Sequence, residues 1–329
     1  MLSERTDWSV QNPVIAWLMD PVEPSMTYLV FRDLLEPRPS RGSLEHLRAL
    51  APSRGWAARI LARQREKTWW ATRNTCYRPK FQSTIWQLQV LADLGLTKSD
   101  ERIANAVEFW FELHYAKDGG YSPDVKGRRG HLCTTGNMVR SLIRMGYLRD
   151  ERVQSAIRWL VDQQLPDGGW DCFGRPKGTI DAWEAMSAFA EIPTPKRTPE
   201  TKATIENGAE FFLRRKLLHE GPPSREWVRF HYPWHYFYDV LVGLDFMVRL
   251  GFGNDRRLYE ALYLLISKRR SDGKWILEGI HGARKVKKPF ASVFPLQIEN
   301  PRKPSKMITF LAMRVMKGLE QPRTRAQHE

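Results

Sequence analysis

Residues 159–192 read WLVDQQLPDGGWDCFGRPKGTIDAWEAMSAFAEI. This order of residues predicts an amphipathic outer helix ending at Gln163, a tight Asp167-Gly168-Gly169-Trp170 corner, a basic loop, and a second helix opening at Thr179 or Asp181. The corner glycines let the chain leave a helix in a sharp turn, and the aromatic residue that follows covers it.

The second helix recurs. Residues 84–95 (TIWQLQVLADLG), 135–146 (TGNMVRSLIRMG), 240–251 (VLVGLDFMVRLG) and 307–318 (MITFLAMRVMKG) line up with 181–192, and 25–36 (SMTYLVFRDLLE) is a sixth copy. Their starts lie 59, 51, 46, 59 and 67 residues apart, which is a helical repeat of roughly 50 residues with insertions. These segments are apolar on most faces, as inner helices packed on every side must be, and four of them end in the Gly favoured just past a helix C-terminus. A more amphipathic, outer segment precedes each: 8–20, 44–66, 101–115, 151–164, 200–218 and 256–268. Corners of the same type stand at Asp118-Gly119-Gly120-Tyr121 and Asp272-Gly273-Lys274-Trp275, and Trp69-Trp70 sits one period earlier without the glycines. Strand signals are sparse. The expectation is an all-α chain, with residues 1–320 as one domain of six helix pairs and 321–329 as a disordered polar tail.

Trp159-x3-Gln163-x4-Gly168-x-Trp170 resembles the Gln-Trp (QW) motif of squalene and hopene cyclases. The Asp-Gly-Gly-aromatic corners between paired helices are similar to those of protein prenyltransferase β subunits. The resemblance implies an (α/α)6 toroid, with inner helices around a central cavity. It also implies a terpenoid-like, hydrophobic substrate.

Bulk composition narrows the partners. The formal charge is +15, which favours an anionic partner. The 13 Trp, 15 Phe and 10 Tyr suit a thick helical core or an aromatic-lined cavity. Three scattered cysteines argue against a disulfide framework, and no run of 18 apolar residues or hydrophobic leader occurs, so a cytoplasmic protein without a membrane span is expected. In a ring of helix pairs, the loops that join outer to inner helices gather at one end. Loops 71–81, 122–133, 171–180, 221–238 and 276–306 hold 17 Lys and Arg against five acids. Arg78, Lys80, Arg128, Arg129, Arg175 and Lys177 are the candidate anion-binding residues there, reinforced by inner-helix N-termini.

Ionisable side chains map to the same end. Asp181 and Glu184 are three apart and share a helical face, so one of them, held protonated in an apolar cavity, could act as a general acid. His131, His235 and Asp239 precede or open inner helices and complete the catalytic candidates. Trp86, Asn137, Trp183 and Trp234 are the candidate cavity lining, and the indoles could stabilise a carbocation through their π faces. No metal is expected; the alternative is zinc on His131, Cys133 and Asp181. The resemblance bears on both ideas. Prenyltransferases bind zinc through an Asp-x-Cys, and Asp181 matches that Asp, but Trp183 stands where the Cys would be. The Asp-x-Asp-Asp proton donor of class II terpene cyclases is absent too, Asp181-Ala182-Trp183-Glu184 being the nearest substitute.

No Walker loop, Gly-x-Gly-x-x-Gly or Gly-x-Ser-x-Gly motif occurs, so neither a nucleotide cofactor nor α/β-hydrolase chemistry is indicated. The expected function is that of a cyclase- or transferase-like toroid acting on a hydrophobic, anionic small molecule. The alternatives are a non-catalytic toroid that binds an anionic ligand or nucleic acid at its basic end, and a carbohydrate-active (α/α)6 enzyme.

Overall fold

Helices that are apolar on most faces need cover on every side, and a closed ring sheathed by a second layer provides it. The computed structural model describes residues 6–220, 224–279 and 298–320 and has that form. In chain order, α1 (Pro13–Leu18) precedes α2 (Pro24–Asp33), and α3 (Arg41–Leu50) with α4 (Gly55–Leu61) precedes α5 (Thr84–Asp93). Next come α6 (Glu101–His114) with α7 (Leu132–Arg144) and α8 (Glu151–Asp162) with α9 (Glu184–Phe189). The last pairs are α10 (Pro199–Arg214) with α11 (Val240–Arg249) and α12 (Tyr259–Ser267) with α13 (Lys306–Glu320). The second member of each pair is inner. These pack in the order α5, α7, α9, α11, α13, α2. The Tyr28 ring of α2 then lies against Gly95 at the end of α5, so close that a Cβ there would meet it at 2.4 Å, and this closes the ring. The protein is thus an all-α toroid. Among the described residues it has isolated β-bridges and no strands.

The corners are built from one recurring hydrogen bond. The indole N–H groups of Trp70, Trp170 and Trp275 donate to the carbonyls of Ile60, Leu160 and Leu265 at 2.9, 2.9 and 2.8 Å, in each case ten residues upstream on the outer helix. Trp69-Trp70 therefore belongs to the series even without glycines. In the second corner the Tyr121 hydroxyl donates instead to Arg152 on the following outer helix. Asp118 and Asp167 tie the glycine corners: the backbone N–H groups of Gly120 and Gly130 reach Asp118, and those of Gly169 and Gly178 reach Asp167. Gln163, the Gln of the resemblance, is exposed. Its neighbour Gln164 makes the bonds, donating to the carbonyls of Gly168 and Thr204 at 2.9 Å.

A second recurring device, missed in the sequence, starts the outer helices. Asp100, Asp150 and Asp255 each cap a helix by accepting the N–H two residues on, from Arg102, Arg152 and Arg257. The guanidinium of the same Arg returns to the Asp. Arg152 and Arg257 also reach Glu108 and Glu210 on the preceding outer helix, at 2.7 and 2.9 Å.

Several expected boundaries shift. The fourth inner helix, α9, opens at Glu184, not at Thr179 or Asp181. The outer segment 44–66 is broken into α3 and α4. Gly95, Gly146 and Gly251 end their helices at φ of 90°, 93° and 98°, whereas α13 runs through Gly318 to Glu320. Gly318 is there because α11 comes close: a Cβ would meet the Val248 side chain at 2.3 Å. Asp239 and Ser305 cap α11 and α13 as their positions suggest. The segment 321–329 lies outside the described residues.

One carboxylate should give the fold a pH signature. Glu23 is buried and accepts the Trp56 N–H at 2.8 Å, and burial pushes its pKa up from 4.5 to about 7. The native carboxyl then keeps a proton that the unfolded chain releases near pH 4.5. Its contribution is complete below pH 4.5 and is lost as pH rises through about 7. Glu23→Gln should therefore remove about 1–3 kcal/mol of pH-dependent stability across that window, read from urea midpoints at pH 5 and pH 8.

Candidate functional site

The axis of the ring has two ends with different chemistry. At the end where inner helices start, loop aromatics close the lumen. Phe81 stacks on His235 at 5.2 Å and lies 6.1 Å from Tyr236, while Trp86 meets Tyr77 at 5.0 Å and His235 edge-on at 5.1 Å. Phe81 and His235 both sit in the left-handed backbone region, at φ of 66° and 48°. That conformation is costly for non-glycine residues, by about 1–3 kcal/mol each, and persists only where the surroundings hold it. Behind this cover, Tyr77, Trp86, Gln89, Cys133, Thr134 and Asn137 line a residual gap too constricted to seat a water.

Below the cover lies a polar core. Arg140, from the middle of α7, is almost fully buried, with its guanidinium 5.5 Å and 5.8 Å from the ring centres of Trp183 and Trp234, which meet edge to face at 6.1 Å. Its Nε and Nη1 have no hydrogen-bond partner among the described residues. The same holds for both Glu184 carboxylate oxygens, the indole nitrogens of Trp183 and Trp234, Asn137 Oδ1 and Thr134 Oγ1. Glu184 opens α9 at the point where α7 comes closest: a Cβ on Gly136 would stand 2.6 Å from Glu184 Cβ. Burial drives its pKa well above the usual carboxylate range. Cys172 and Asp181 add to the rise, and only the distant pull of Arg140 opposes it among side chains. Burial, then the Arg140 charge, depresses His235 to about 3, so this imidazole is neutral. Its Nδ1 lies 3.4 Å from Gln89 Oε1.

The structure brings some candidates together and separates others. Trp86 and Asn137 line the residual space, Trp183 and Trp234 flank Arg140, and Glu184 lies within reach of the Arg140 field. Asp181 does not share a helical face with Glu184. It stands exposed before the helix and accepts the Trp227 indole N–H at 2.9 Å. Asp239 caps α11 and faces His231, with Oδ2 2.7 Å from His231 Nδ1. His131 Nδ1 contacts Cys133 Sγ at 3.2 Å, and burial depresses its pKa. Among the described residues, no three His, Cys, Asp or Glu side chains converge in a way that could hold a metal ion. Arg78, Lys80, Arg128, Arg129, Arg175 and Lys177 are all exposed on the loops. Lys80 rides 4.8 Å above the Tyr236 ring, and Arg175 is paired with Asp171 at 2.7 Å. Arg284, Lys285, Lys287 and Lys288 of the expected basic end lie outside the described residues.

The opposite end, where inner helices finish, holds the larger opening: a cleft of about 740 Å³. A chain of ion pairs runs around its floor. Arg140 stands 3.9 Å from Asp93, which takes a hydrogen bond from Arg144, and Arg144 and Arg249 grip Glu191 at 2.5 and 2.7 Å. Arg249 lies 3.7 Å from Asp245, which meets Arg314 at 2.7 Å. Asp33 then joins Arg314 at 3.2 Å to Arg32 at 2.6 Å. Burial works against ionisation of Glu191, yet the two guanidiniums hold it well below the carboxylate range. None of these residues was among the sequence candidates. The signal was a charged residue near the end of an otherwise apolar inner segment, repeated in Arg32, Arg144, Arg249 and Arg314.

A toroid with a buried acid at one end of its axis and a charged cleft at the other is the class of protein these features define. No family model matches the sequence, and no curated protein matches it. Among solved structures, the chain is similar to a protein from Actinoplanes, at 14% identity, 90% of each chain covered and a TM-score of 0.47. It is also similar to the type II terpene cyclase MstE from Scytonema, at 14% identity over 93% of this chain and 86% of that one, with a TM-score of 0.45. A form of that cyclase in complex with its substrate geranylgeranyl dihydroxybenzoate gives a TM-score of 0.44 at 13% identity, covering 93% and 98%. No residue role follows from likenesses of this size. Among the described residues, no helix is long and apolar enough to cross a membrane.

Proposed function

We propose that the lumen takes up a hydrophobic, anionic small molecule through the aromatic cover and that Glu184 protonates it. The observation that supports this most is Glu184 itself, a wholly buried carboxyl without a hydrogen-bond partner among the described residues. A carboxylic acid kept neutral by burial still carries its proton near neutral pH and can donate it as a general acid. Trp183 and Trp234 present π faces that suit developing positive charge beyond the donor. Arg140 already occupies those faces, so its guanidinium has to shift toward Asp93 when substrate enters. The strained Phe81 and His235 backbones mark the part of the cover that moves. Exposed Arg78, Lys80 and Lys177 hold the anionic group at the mouth.

Farnesyl diphosphate, with dodecanoate as a second probe, tests the uptake. Saturable quenching of tryptophan fluorescence by either probe is expected, with association accelerated several-fold by Tyr236→Ala, which thins the cover. Quenching that is absent for both probes up to millimolar concentration, or that Tyr236→Ala leaves unaltered in rate, would overturn the reading. On a turned-over substrate, Glu184→Gln should lower kcat by at least about 100-fold while leaving helicity intact.

A further inference from the structure

We infer that the cleft at the inner-helix C-terminal end is a second binding site, for a small phosphate-bearing dianion. The cleft is of ligand size, about 740 Å³. Six cations line it (Arg32, Arg38, Arg144, Arg249, Arg314 and Lys317) and only two carboxylates, Asp33 and Glu191. Asp93 and Asp245, which pair with Arg144 and Arg314, and Glu36, which pairs with Lys317, bring the local acids to five. Positive charge remains in excess after every ion pair of the floor is made.

The placement of that excess matters. The lining cations come from α2, α7, α11 and α13 and from the segment after α2, so they converge on the axis from around the ring. Convergence from several directions fits a tetrahedral, multiply charged anion better than a planar monoanion. Arg38 is exposed at the rim. Lys317, by contrast, is buried with its Nζ on the carbonyls of Leu34 and Leu35, 3.4 Å from Glu36. Burial lowers the Lys317 pKa, the Glu36 carboxylate opposes that fall, and the neighbouring Arg38 charge adds to it.

The site is separate from the lumen mouth, which lies at the other end of the axis, so it stands or falls independently of the proposed reaction. Isothermal titration of the full chain with inorganic phosphate and with pyrophosphate at pH 7.5 tests it. Binding of both is expected, tighter for pyrophosphate and weakened by added chloride. Arg38→Glu, on an exposed residue, should weaken pyrophosphate binding at least tenfold, and the double change Arg158→Glu with Lys202→Glu, at exposed positions of the outer helices α8 and α10, should leave it unaltered. Two results would overturn the inference: no heat with pyrophosphate at millimolar concentration, or binding untouched by Arg38→Glu. Circular dichroism of each variant separates loss of binding from loss of fold.

Discussion

Replacing Glu191 with alanine is expected to lower the unfolding free energy by about 3–5 kcal/mol, because it strands two buried guanidiniums. Glu191 is the hub of the ion-pair chain, held by Arg144 at 2.5 Å and Arg249 at 2.7 Å, and it follows the shortest inner helix, α9. The loss should exceed anything a surface pair can give, because these groups are shielded: side-chain exposure is 11% for Arg144 and 10% for Glu191. Urea unfolding at pH 7 measures it. Replacing Glu191, Arg144 and Arg249 together by methionine should recover most of the loss, since it is the unpaired charge that costs. The pH sign is opposite to that of Glu23. The folded pKa of Glu191 is depressed, so its contribution is present above the unfolded value of 4.5 and disappears as pH falls below it. A triple variant as unstable as the alanine variant would show that the cleft floor is held by something other than these pairs.

Trp170→Ala should cost about 3–5 kcal/mol, the range for deleting a large buried aromatic side chain. The indole is completely buried and packs over Gly208 of α10, where a Cβ would meet it at 3.0 Å, and against Phe189 at 6.1 Å. It also fastens α8 to the corner through the Leu160 carbonyl. Trp170→Phe keeps part of the volume but leaves that carbonyl without its donor, so about 1–2 kcal/mol of loss should remain. Thermal unfolding of both variants measures the difference between packing and the hydrogen bond. Equal stability of the Phe variant and the parent would remove the hydrogen bond from the account of why this corner repeats.

The repeat was legible because its physics is local. Apolar segments closing on Gly95, Gly146 and Gly251 state where inner helices end, and the spaced Trp170 and Trp275 state where the corners stand. Trp69-Trp70, spaced one period before the next corner, makes the same hydrogen bond to Ile60 without the glycines, because the geometry of the staple needs the indole and not the glycines. Residue pairing across the ring was much less legible. The Asp181–Glu184 spacing suggested one face, but the chain is still turning at Asp181, so the two carboxyls part, one to solvent and one into the lumen. Arg140 was readable as a lone charge inside an apolar segment, yet its partners come from α5 and from the loops before α9 and α11, over separations that no pattern within a segment records. The ion-pair chain was hidden for the same reason. Each Arg looks like an ordinary basic residue in a last helical turn, where it complements the dipole. Only closure of the ring sets the four inner helices that carry them around one cleft.

The central claim, that Glu184 is held as a neutral acid in the lumen, is tested most directly by infrared spectroscopy of the wild type against Glu184→Gln with isotope-labelled glutamate. The account predicts, in the wild type at pH 7, a carbonyl band of a protonated carboxylic acid that is missing from the variant. It also predicts that the variant escapes the stability loss the wild type suffers as pH rises through the elevated pKa. Wild-type and variant spectra that differ only in carboxylate bands at pH 7 would contradict it.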